Sequence, residues 1–240
     1  MERPLSSLML AEAYGTFLLT FIGATSITVA SDASIFPAGT GLGLGFIGLA
    51  HGVALLAGVA ALGSVSGAFF NPAITIGAFA SGRLPRAKVA PYIVAQFAGA
   101  ILAAVVELGL VGMTAASVPG VDLGSNLPNT SLPIPYFSAV LAEIVGTMIL
   151  TFTVLASTDP DSSGISWASS SIGLVLAACI WALGGISGAA LNPARAFGPA
   201  VISLLFDTTP MADYWIYLVG PILGGLLAAQ LYRTIFRPHG

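Results

Sequence analysis

The sequence predicts an all-α membrane protein with six transmembrane helices, two re-entrant half-helices and an inverted internal repeat. Composition is the first reason, because the 240 residues are 56% hydrophobic and only 7% charged, whereas soluble domains carry about a quarter charged residues. The second is a set of six long apolar stretches, and the third is an Asn-Pro-Ala segment that occurs twice between them. We treat residues 1–240 as a single domain.

Each of the six apolar stretches carries at most one acid or base, and about 20 such residues cross the roughly 30 Å of bilayer hydrocarbon. None shows the alternation of polar and apolar residues that is typical of outer-membrane strands. The first is too long for the core of a signal peptide, so we expect it to be retained. The predicted spans are Ser6–Ala30, Gly41–Leu62, Val89–Val111, Pro135–Ala156, Ser166–Leu183 and Tyr214–Tyr232.

Basic residues indicate the orientation of these spans. An even number of spans places both termini on one side, and six of the seven Lys and Arg residues fall at the termini or between spans two and three: Arg3, Arg83, Arg86, Lys88, Arg233 and Arg237. The positive-inside rule makes that side cytoplasmic, and we predict a multi-pass protein of the plasma membrane. The seventh base, Arg195, lies in the opposite half of the membrane, where an arginine is functional by default.

Three motifs recur in the same order in the two halves of the chain. The pairs begin at Ala11 and Ala142 (Ala-Glu-x-x-Gly-Thr), Ser66 and Ser187 (Ser-Gly-x-x-x-Asn-Pro-Ala), and Tyr92 and Tyr217 (Tyr-x-Val). The halves, about residues 1–115 and 134–240 with the link 116–133, hold three spans each, and an odd number of spans inverts one repeat relative to the other. We expect Gly99 and Gly224 at close crossings between the halves.

Each Asn-Pro-Ala segment is too short to be a further span. Asn is a favoured helix N-cap and Pro a favoured first helical residue, and Asn71 to Ala80 makes about 15 Å of helix, half the hydrocarbon thickness. Two inverted half-helices would meet by their N-termini near the midplane, with irregular backbone lining a water-filled cavity. The predicted pore residues are Asn71, Pro72, Ala73, Asn192, Pro193 and Ala194, and the predicted pore-lining carbonyls are those of Gly67, Ala68, Phe69, Gly188, Ala189 and Ala190.

These motifs, together with the segment Asn192-Pro193-Ala194-Arg195-x-Phe197-Gly198-Pro199, resemble the aquaporin and aquaglyceroporin (major intrinsic protein) family over nearly the whole chain. The resemblance implies a homotetramer in membrane lipid with one pore per subunit, which passively passes water and small neutral solutes such as ammonia, urea, hydrogen peroxide or glycerol. Protons and ions would be excluded, because each half-helix N-terminus carries about half a positive charge. Amide N–H groups of Asn71 and Asn192 would also turn a passing water and break the proton wire.

The resemblance also implies a narrow filter of His51, Ile180, Ala189 and Arg195. Strict water channels of the family have a second His where this chain has Ile180, and the set is similar to filters of plant tonoplast channels. Phe69 departs from the His that is frequent before the first Asn-Pro-Ala. We therefore expect water and small neutral solutes rather than water alone.

Glu12 and Glu143 are acids at matching positions of the two repeats. We expect each to accept hydrogen bonds from loop N–H groups and hold its half-helix loop, because an unpaired charge there is costly. The alternative is an ion-coupled secondary transporter that uses both acids as a proton relay.

Other function classes find little support in the residues. Seven Lys and Arg in 240 residues form no basic face for nucleic acid, and one cysteine excludes a Cys-based metal cage. The spans contain no Ser/His dyad or HExxH motif, so we expect neither an enzyme nor a metal or cofactor site.

Overall fold

Helices dominate the computed structural model, which describes residues 3–36, 41–118, 120–161 and 167–237. These residues form nine helices and a short 3-10 turn at Asp122–Gly124, with no β-strand among them. The helices are α1 Leu5–Ala30, α2 Leu42–Ser66, α3 Pro72–Ala80, α4 Arg86–Ala116, α5 Pro135–Ser157, α6 Ala168–Ser187, α7 Pro193–Ser203, α8 Thr209–Ala212 and α9 Tyr214–Phe236. Six of them (α1, α2, α4, α5, α6 and α9) are long and apolar enough to cross a membrane, which makes this a multi-pass integral membrane protein.

The six predicted spans correspond to the six long helices, which extend a few residues beyond most predicted ends. Gly41 is not helical but precedes α2 in a left-handed conformation (φ 70°), which glycine adopts without strain. Helix α4 runs on past Val111, with a non-helical Gly112 (φ 73°) inside it. The predicted start of the fifth span, Ser166, lies outside the described residues.

Helix pairing repeats in the two halves, since α1 packs along α4 and α5 packs along α9, while α2 and α6 contact each other across the halves. A side chain at Gly99 would overlap the Ala13 carbonyl, and one at Gly224 would overlap the Ile144 carbonyl. Both glycines therefore permit close crossings, but these crossings lie within each half. The expectation that they mark contacts between the halves is wrong, because Gly99 faces α1 and Gly224 faces α5, each within its own repeat.

The two half-helices run to opposite faces of the molecule. Beyond the end of α3, Arg83 donates to the carbonyl oxygens of Leu155 (3.1 Å) and Thr158 (2.6 Å) at the end of α5. The end of α7 instead packs by Ile202 against the cluster of Ala104, Ala116 and Leu123, in the C-terminal half of α4 and beyond its end. The predicted architecture, with inverted half-helices at Asn71 and Asn192, is confirmed by this arrangement.

Ionic contacts tie together the face that carries Arg83. The buried Asp159 carboxylate accepts from the Tyr232 hydroxyl and from Arg237 Nη2 at 3.1 Å, with Arg83 Nη1 at 3.9 Å. The Tyr232 hydrogen bond is the main cause that lowers the pKa of Asp159, and the two arginines lower it further. Arg237 also bridges to Asp161 at 2.9 Å. The end of α9 is thus fixed to the segment after α5.

Candidate functional site

Two loops of the same conformation lead into the half-helices. In the first, Ala68 and Phe70 have positive φ values of 52° and 51°, and in the second Ala189 and Leu191 have values of 46° and 51°. Residues with a Cβ rarely adopt this left-handed region, and they persist there only when surrounding contacts over-determine the backbone. The contacts that hold both loops come from the two buried glutamates.

Glu12, which is fully buried in α1, holds the first loop. Its Oε1 accepts from Ser66 Oγ (2.6 Å) and from the Phe69 N–H (3.1 Å). Its Oε2 accepts from the Phe70 N–H (2.7 Å) and from Gln96 Nε2 (2.8 Å). One carboxylate thereby satisfies two loop N–H groups that would otherwise be buried without a partner.

Glu143 makes the equivalent contacts in the second repeat and is also fully buried. Its Oε1 accepts from Ser187 Oγ (2.8 Å) and from the Ala190 N–H (2.9 Å), and its Oε2 accepts from the Leu191 N–H (2.7 Å). Neither glutamate lines the two cavities described below. The geometry favours the structural interpretation of both acids over a proton relay.

The two asparagines cap the half-helices. Asn71 Oδ1 accepts from the Ala73 N–H at 2.9 Å, and Asn192 Oδ1 accepts from the N–H groups of Ala194 (3.0 Å) and Arg195 (3.2 Å). Pro72 and Pro193 are the first helical residues. Like Ala73 and Ala194, both prolines are buried and line neither cavity, so these four residues start the half-helices.

The same asparagines also join the two loops to each other, at the point where the half-helices begin. Asn71 Nδ2 donates to the Leu191 carbonyl at 2.7 Å, and Asn192 Nδ2 donates to the Phe70 carbonyl at 2.9 Å. Each amide has two N–H groups, so one N–H of each Asn is committed to the opposite loop. The second N–H of each remains for a molecule in the cavity that both asparagines line.

That cavity is a narrow neck of about 10 Å³, roughly the space that one water molecule needs. Its polar lining consists of Asn71, Asn192, His51 and Arg195, and its other lining residues are Leu19, Leu55, Phe69, Ile74, Leu150, Leu176 and Ala190. A wide vestibule of about 810 Å³ lies on the Arg83 face and shares Phe69 with the neck. The two cavities are therefore adjacent.

Arg195 is 1% exposed and lines the neck. Its Nη1 donates to the Gly124 carbonyl (3.0 Å) and to Asn126 Oδ1, and its Nε donates to His51 Nε2 (3.3 Å). No acid of the described segments forms a salt bridge with it. Among the described residues Nη2 has no hydrogen-bond partner, which leaves two N–H donors on a charged group that lines the neck.

His51 uses both ring nitrogens on the protein. Nδ1 lies 2.9 Å from the Ile47 carbonyl and must donate to it, so Nε2 is the acceptor that receives the Arg195 Nε–H. The ring therefore holds Arg195 in position at the neck, which both residues line. A side chain at Gly23 would overlap the His51 ring, which explains why glycine stands opposite it in α1.

Ile180 and Ala189, the other two residues of the expected filter, are 2% and 3% exposed. They belong to the buried apolar cluster that also contains Leu19, Leu55 and Ile74 of the neck lining, but they do not line the neck themselves. The structure thus places His51 and Arg195 in direct contact and the other two residues in the apolar cluster. Their role in selectivity stays a prediction.

The predicted pore-lining carbonyls differ in whether they are free. Within the described part of the chain, those of Gly67, Ala68, Phe69, Ala189 and Ala190 accept no hydrogen bond. The Gly188 carbonyl is the exception, because Asn126 Nδ2 donates to it at 2.9 Å. That bond fixes the loop to the link between the repeats and leaves one lone pair of the Gly188 carbonyl, whose place in the pore lining stays a prediction.

Two functional contacts in that link were missed by sequence reasoning. Asn126 and the Gly124 carbonyl together hold Nη1 of Arg195, and a side chain at Gly124 would overlap the backbone of Ala24. No motif or spacing marks these residues in the sequence. Only the path of the link over α7 brings them to Arg195.

Comparison with known proteins identifies a family that matches this chain. The family model for major intrinsic proteins matches residues 3–232. The chain belongs to the major intrinsic protein family. Membership in this family of channels supports the expectation that the chain is not an enzyme.

Similar members come from archaea, bacteria and plants. Aquaporin AqpM of Methanothermobacter marburgensis is 40% identical over 94% of this chain and 96% of its own length. Aquaporin Z of Bradyrhizobium diazoefficiens is 35% identical over 94% and 91%, and aquaporin TIP4-4 of Zea mays is 35% identical over 97% and 87%. The solved aquaglyceroporin of Plasmodium falciparum superposes with a TM-score of 0.82 at 24% identity, covering 98% of each chain, which establishes a shared fold.

Proposed function

We propose that this family member is a passive transmembrane channel for water and small neutral solutes. The observation that carries the proposal is the neck of about 10 Å³, which places the amides of Asn71 and Asn192 and the free Nη2 of Arg195 along one narrow path beside a wide vestibule. A molecule in this path meets hydrogen-bond donors that replace its water partners. Passage therefore needs no conformational cycle and no coupled ion.

Proton exclusion follows from the same groups. The N-termini of α3 and α7 meet at the neck, and each contributes about half a positive charge. A water that accepts from the remaining N–H groups of Asn71 and Asn192 turns its own hydrogens away from both, which interrupts a hydrogen-bonded wire. Arg195 adds a full positive charge farther along the path. Protons and cations meet both barriers, whereas neutral molecules meet neither.

Ile180 supports the inclusion of neutral solutes besides water, such as ammonia, urea, hydrogen peroxide and glycerol. At the filter position that the family resemblance implies for Ile180, an isoleucine leaves the passage wider and more apolar than a histidine would. Similar relatives carry the names aquaporin Z and aquaporin TIP4-4, and the structural neighbour is an aquaglyceroporin. The proposed range is therefore broader than water.

The Ile180→His variant tests this range. We expect it to reduce uptake of glycerol and urea by about tenfold, because the larger, polar ring narrows the filter. Such a tenfold change corresponds to about 1.4 kcal/mol in the free-energy barrier to passage. Water permeability should fall by less than about threefold. The measurement is light scattering of proteoliposomes after rapid mixing with each solute. Ile180→Leu keeps the volume and apolar character and is the matched control. Unchanged solute selectivity in Ile180→His would remove this residue from the filter.

The ion-coupled transporter remains the alternative from another class. It requires Glu12 or Glu143 to exchange protons with the transport path, but both carboxylates are fully buried and occupied by loop donors. No observation favours this function over the channel.

We also propose that both termini are cytoplasmic and that the protein assembles as a homotetramer in the plasma membrane. The orientation is supported by the grouping of Arg3, Arg83 and Lys88 around cavities at one face, to which Arg237 is also joined. The tetramer is supported by membership in the major intrinsic protein family. The orientation is tested by the side of the membrane from which a cysteine added at a terminus reacts with a membrane-impermeant reagent. The assembly is tested by the mass of the detergent-solubilised complex.

A further inference from the structure

A second constriction is built into the vestibule side of the path, and the side chains that form it are apolar. Phe69 lines both the wide vestibule and the narrow neck, so its ring stands where one opens into the other. Val59 lines the vestibule beside it and Ile74 lines the neck. We propose that Phe69, flanked by Val59 and Ile74, is the residue that limits the rate of water passage. This inference rests on the proposed channel function.

The inverted repeat supports the assignment. Counting back from each Asn-Pro-Ala, Val59 corresponds to Ile180, and counting forward, Ile74 corresponds to Arg195. The vestibule half thus repeats the positions of the expected filter with no polar side chain at either of them. Phe69 itself corresponds to Ala190, which also lines the neck. One position of the repeat therefore carries a large ring on the vestibule side and a single methyl group on the other.

Backbone hydrogen bonding and packing contacts fix the position of the Phe69 ring. Its backbone N–H donates to Glu12, and its neighbours Ala68 and Phe70 are held at positive φ. The ring lies against Gly67, where a Cβ would stand 3.3 Å from it. It also packs at a tilt against Tyr92, with ring centroids 6.1 Å apart. The side chain is half-buried while Ala68 and Phe70 are buried, as expected of a ring that faces an open path.

The physical effect of such a ring is a barrier to wetting. The neck residues around it, Leu19, Leu55, Ile74, Leu150 and Leu176, offer no hydrogen bond. A water that leaves the vestibule must therefore pass the ring before it reaches the Asn71 amide. Constrictions lined by apolar side chains impede flow because water in them finds fewer hydrogen-bond partners, here only backbone carbonyls such as that of Gly67. The loss of about one hydrogen bond at this point corresponds to a slowing of about fivefold.

Water permeability of Phe69 variants tests the inference in both directions. We expect Phe69→Ala to raise the permeability per channel about fivefold, and Phe69→His to raise it as well, because the imidazole offers the water a partner. Phe69→Trp should lower it by a similar factor by narrowing the passage. The matched control is Phe79→Ala, which lies on the half-helix that follows the Phe69 loop but is exposed and absent from both cavities, and which should leave the permeability unchanged. Stopped-flow shrinkage is normalised to the amount of folded protein in the vesicles.

The outcomes separate this inference from the channel function. Wild-type vesicles that shrink no faster than empty ones would refute the channel itself. A permeable wild type, with Phe69→Ala and Phe69→Trp both within twofold of it, would refute the constriction and leave the channel intact. If Phe69→Ala does not fold, because it also loses the packing on Tyr92, Phe69→His and Phe69→Trp decide the question. Opposite shifts by these two variants support the constriction, and shifts in the same direction overturn it.

Discussion

Vesicles that contain the Arg195→Val variant are expected to conduct protons at least tenfold faster than wild-type vesicles. The substitution removes a buried charge whose Nη2 is free at the neck. At an effective dielectric constant of about 20, a unit charge 4 Å away is repelled by about 4 kcal/mol, or about a thousandfold in rate. The half-helix N-termini still repel cations in the variant, so the observed increase should be smaller than that factor.

The measurement is the decay of a pH gradient across proteoliposomes, followed with an internal pH-sensitive dye and with the membrane potential clamped. Arg233→Val, which removes an exposed base at the end of α9, is the control for net charge and should conduct protons at the wild-type rate. Water permeability of Arg195→Val should be retained. A variant that passes water yet remains as proton-tight as the wild type would show that Arg195 is not part of the ion barrier.

The Glu143→Ala variant is expected to lose a large part of its folding stability. Removal of the carboxylate leaves the N–H groups of Ala190 and Leu191 buried without an acceptor, and each such group costs about 1–3 kcal/mol. The total of about 2–6 kcal/mol is a large part of the 5–15 kcal/mol that stabilises a typical protein. The second loop would then relax, since its residues at positive φ are held there by these bonds.

Glu107→Ala is the matched control, because Glu107 is also a fully buried glutamate in a long helix but accepts a single hydrogen bond, from Thr28 Oγ1 at 2.8 Å. We expect thermal unfolding in detergent to occur at a clearly lower temperature in Glu143→Ala than in Glu107→Ala. Glu143→Gln should lie between wild type and Glu143→Ala, since the amide retains one oxygen acceptor. A stable Glu143→Gln variant whose flux loses a dependence on an ion gradient would contradict the structural role and support the transporter.

The half-helices were predictable because their signals are local. Asn71 and Asn192 cap the helices that follow them, Pro72 and Pro193 stand at the first helical positions, and the irregular backbone before them follows from the length of the segment. The opposite orientation of the two half-helices was predicted from the repetition of the motif, because a single copy indicates no relative orientation. The buried acids at matching positions indicated how the loops are held.

Contacts that depend on the path of the link between the repeats were not predictable. Asn126 occupies the Gly188 carbonyl and binds Arg195, yet nothing in its local sequence distinguishes it from other polar loop residues. The partner of Gly99 was also misjudged, because a small residue predicts a close crossing but not which helix crosses there. His51 was predicted at the filter by resemblance, but the ring's use of both nitrogens on the protein emerged only from its neighbours Ile47 and Arg195.

The rate at which protein-containing vesicles shrink in a hyperosmotic medium tests the central claim most directly. Purified protein is reconstituted into vesicles without an ion gradient, and stopped-flow light scattering compares them with empty vesicles of the same lipid and size. A passive pore predicts faster shrinkage in proportion to the protein content, unchanged when a proton or sodium gradient is imposed. Shrinkage at the rate of empty vesicles, or shrinkage that is accelerated only when a gradient is present, would contradict the account.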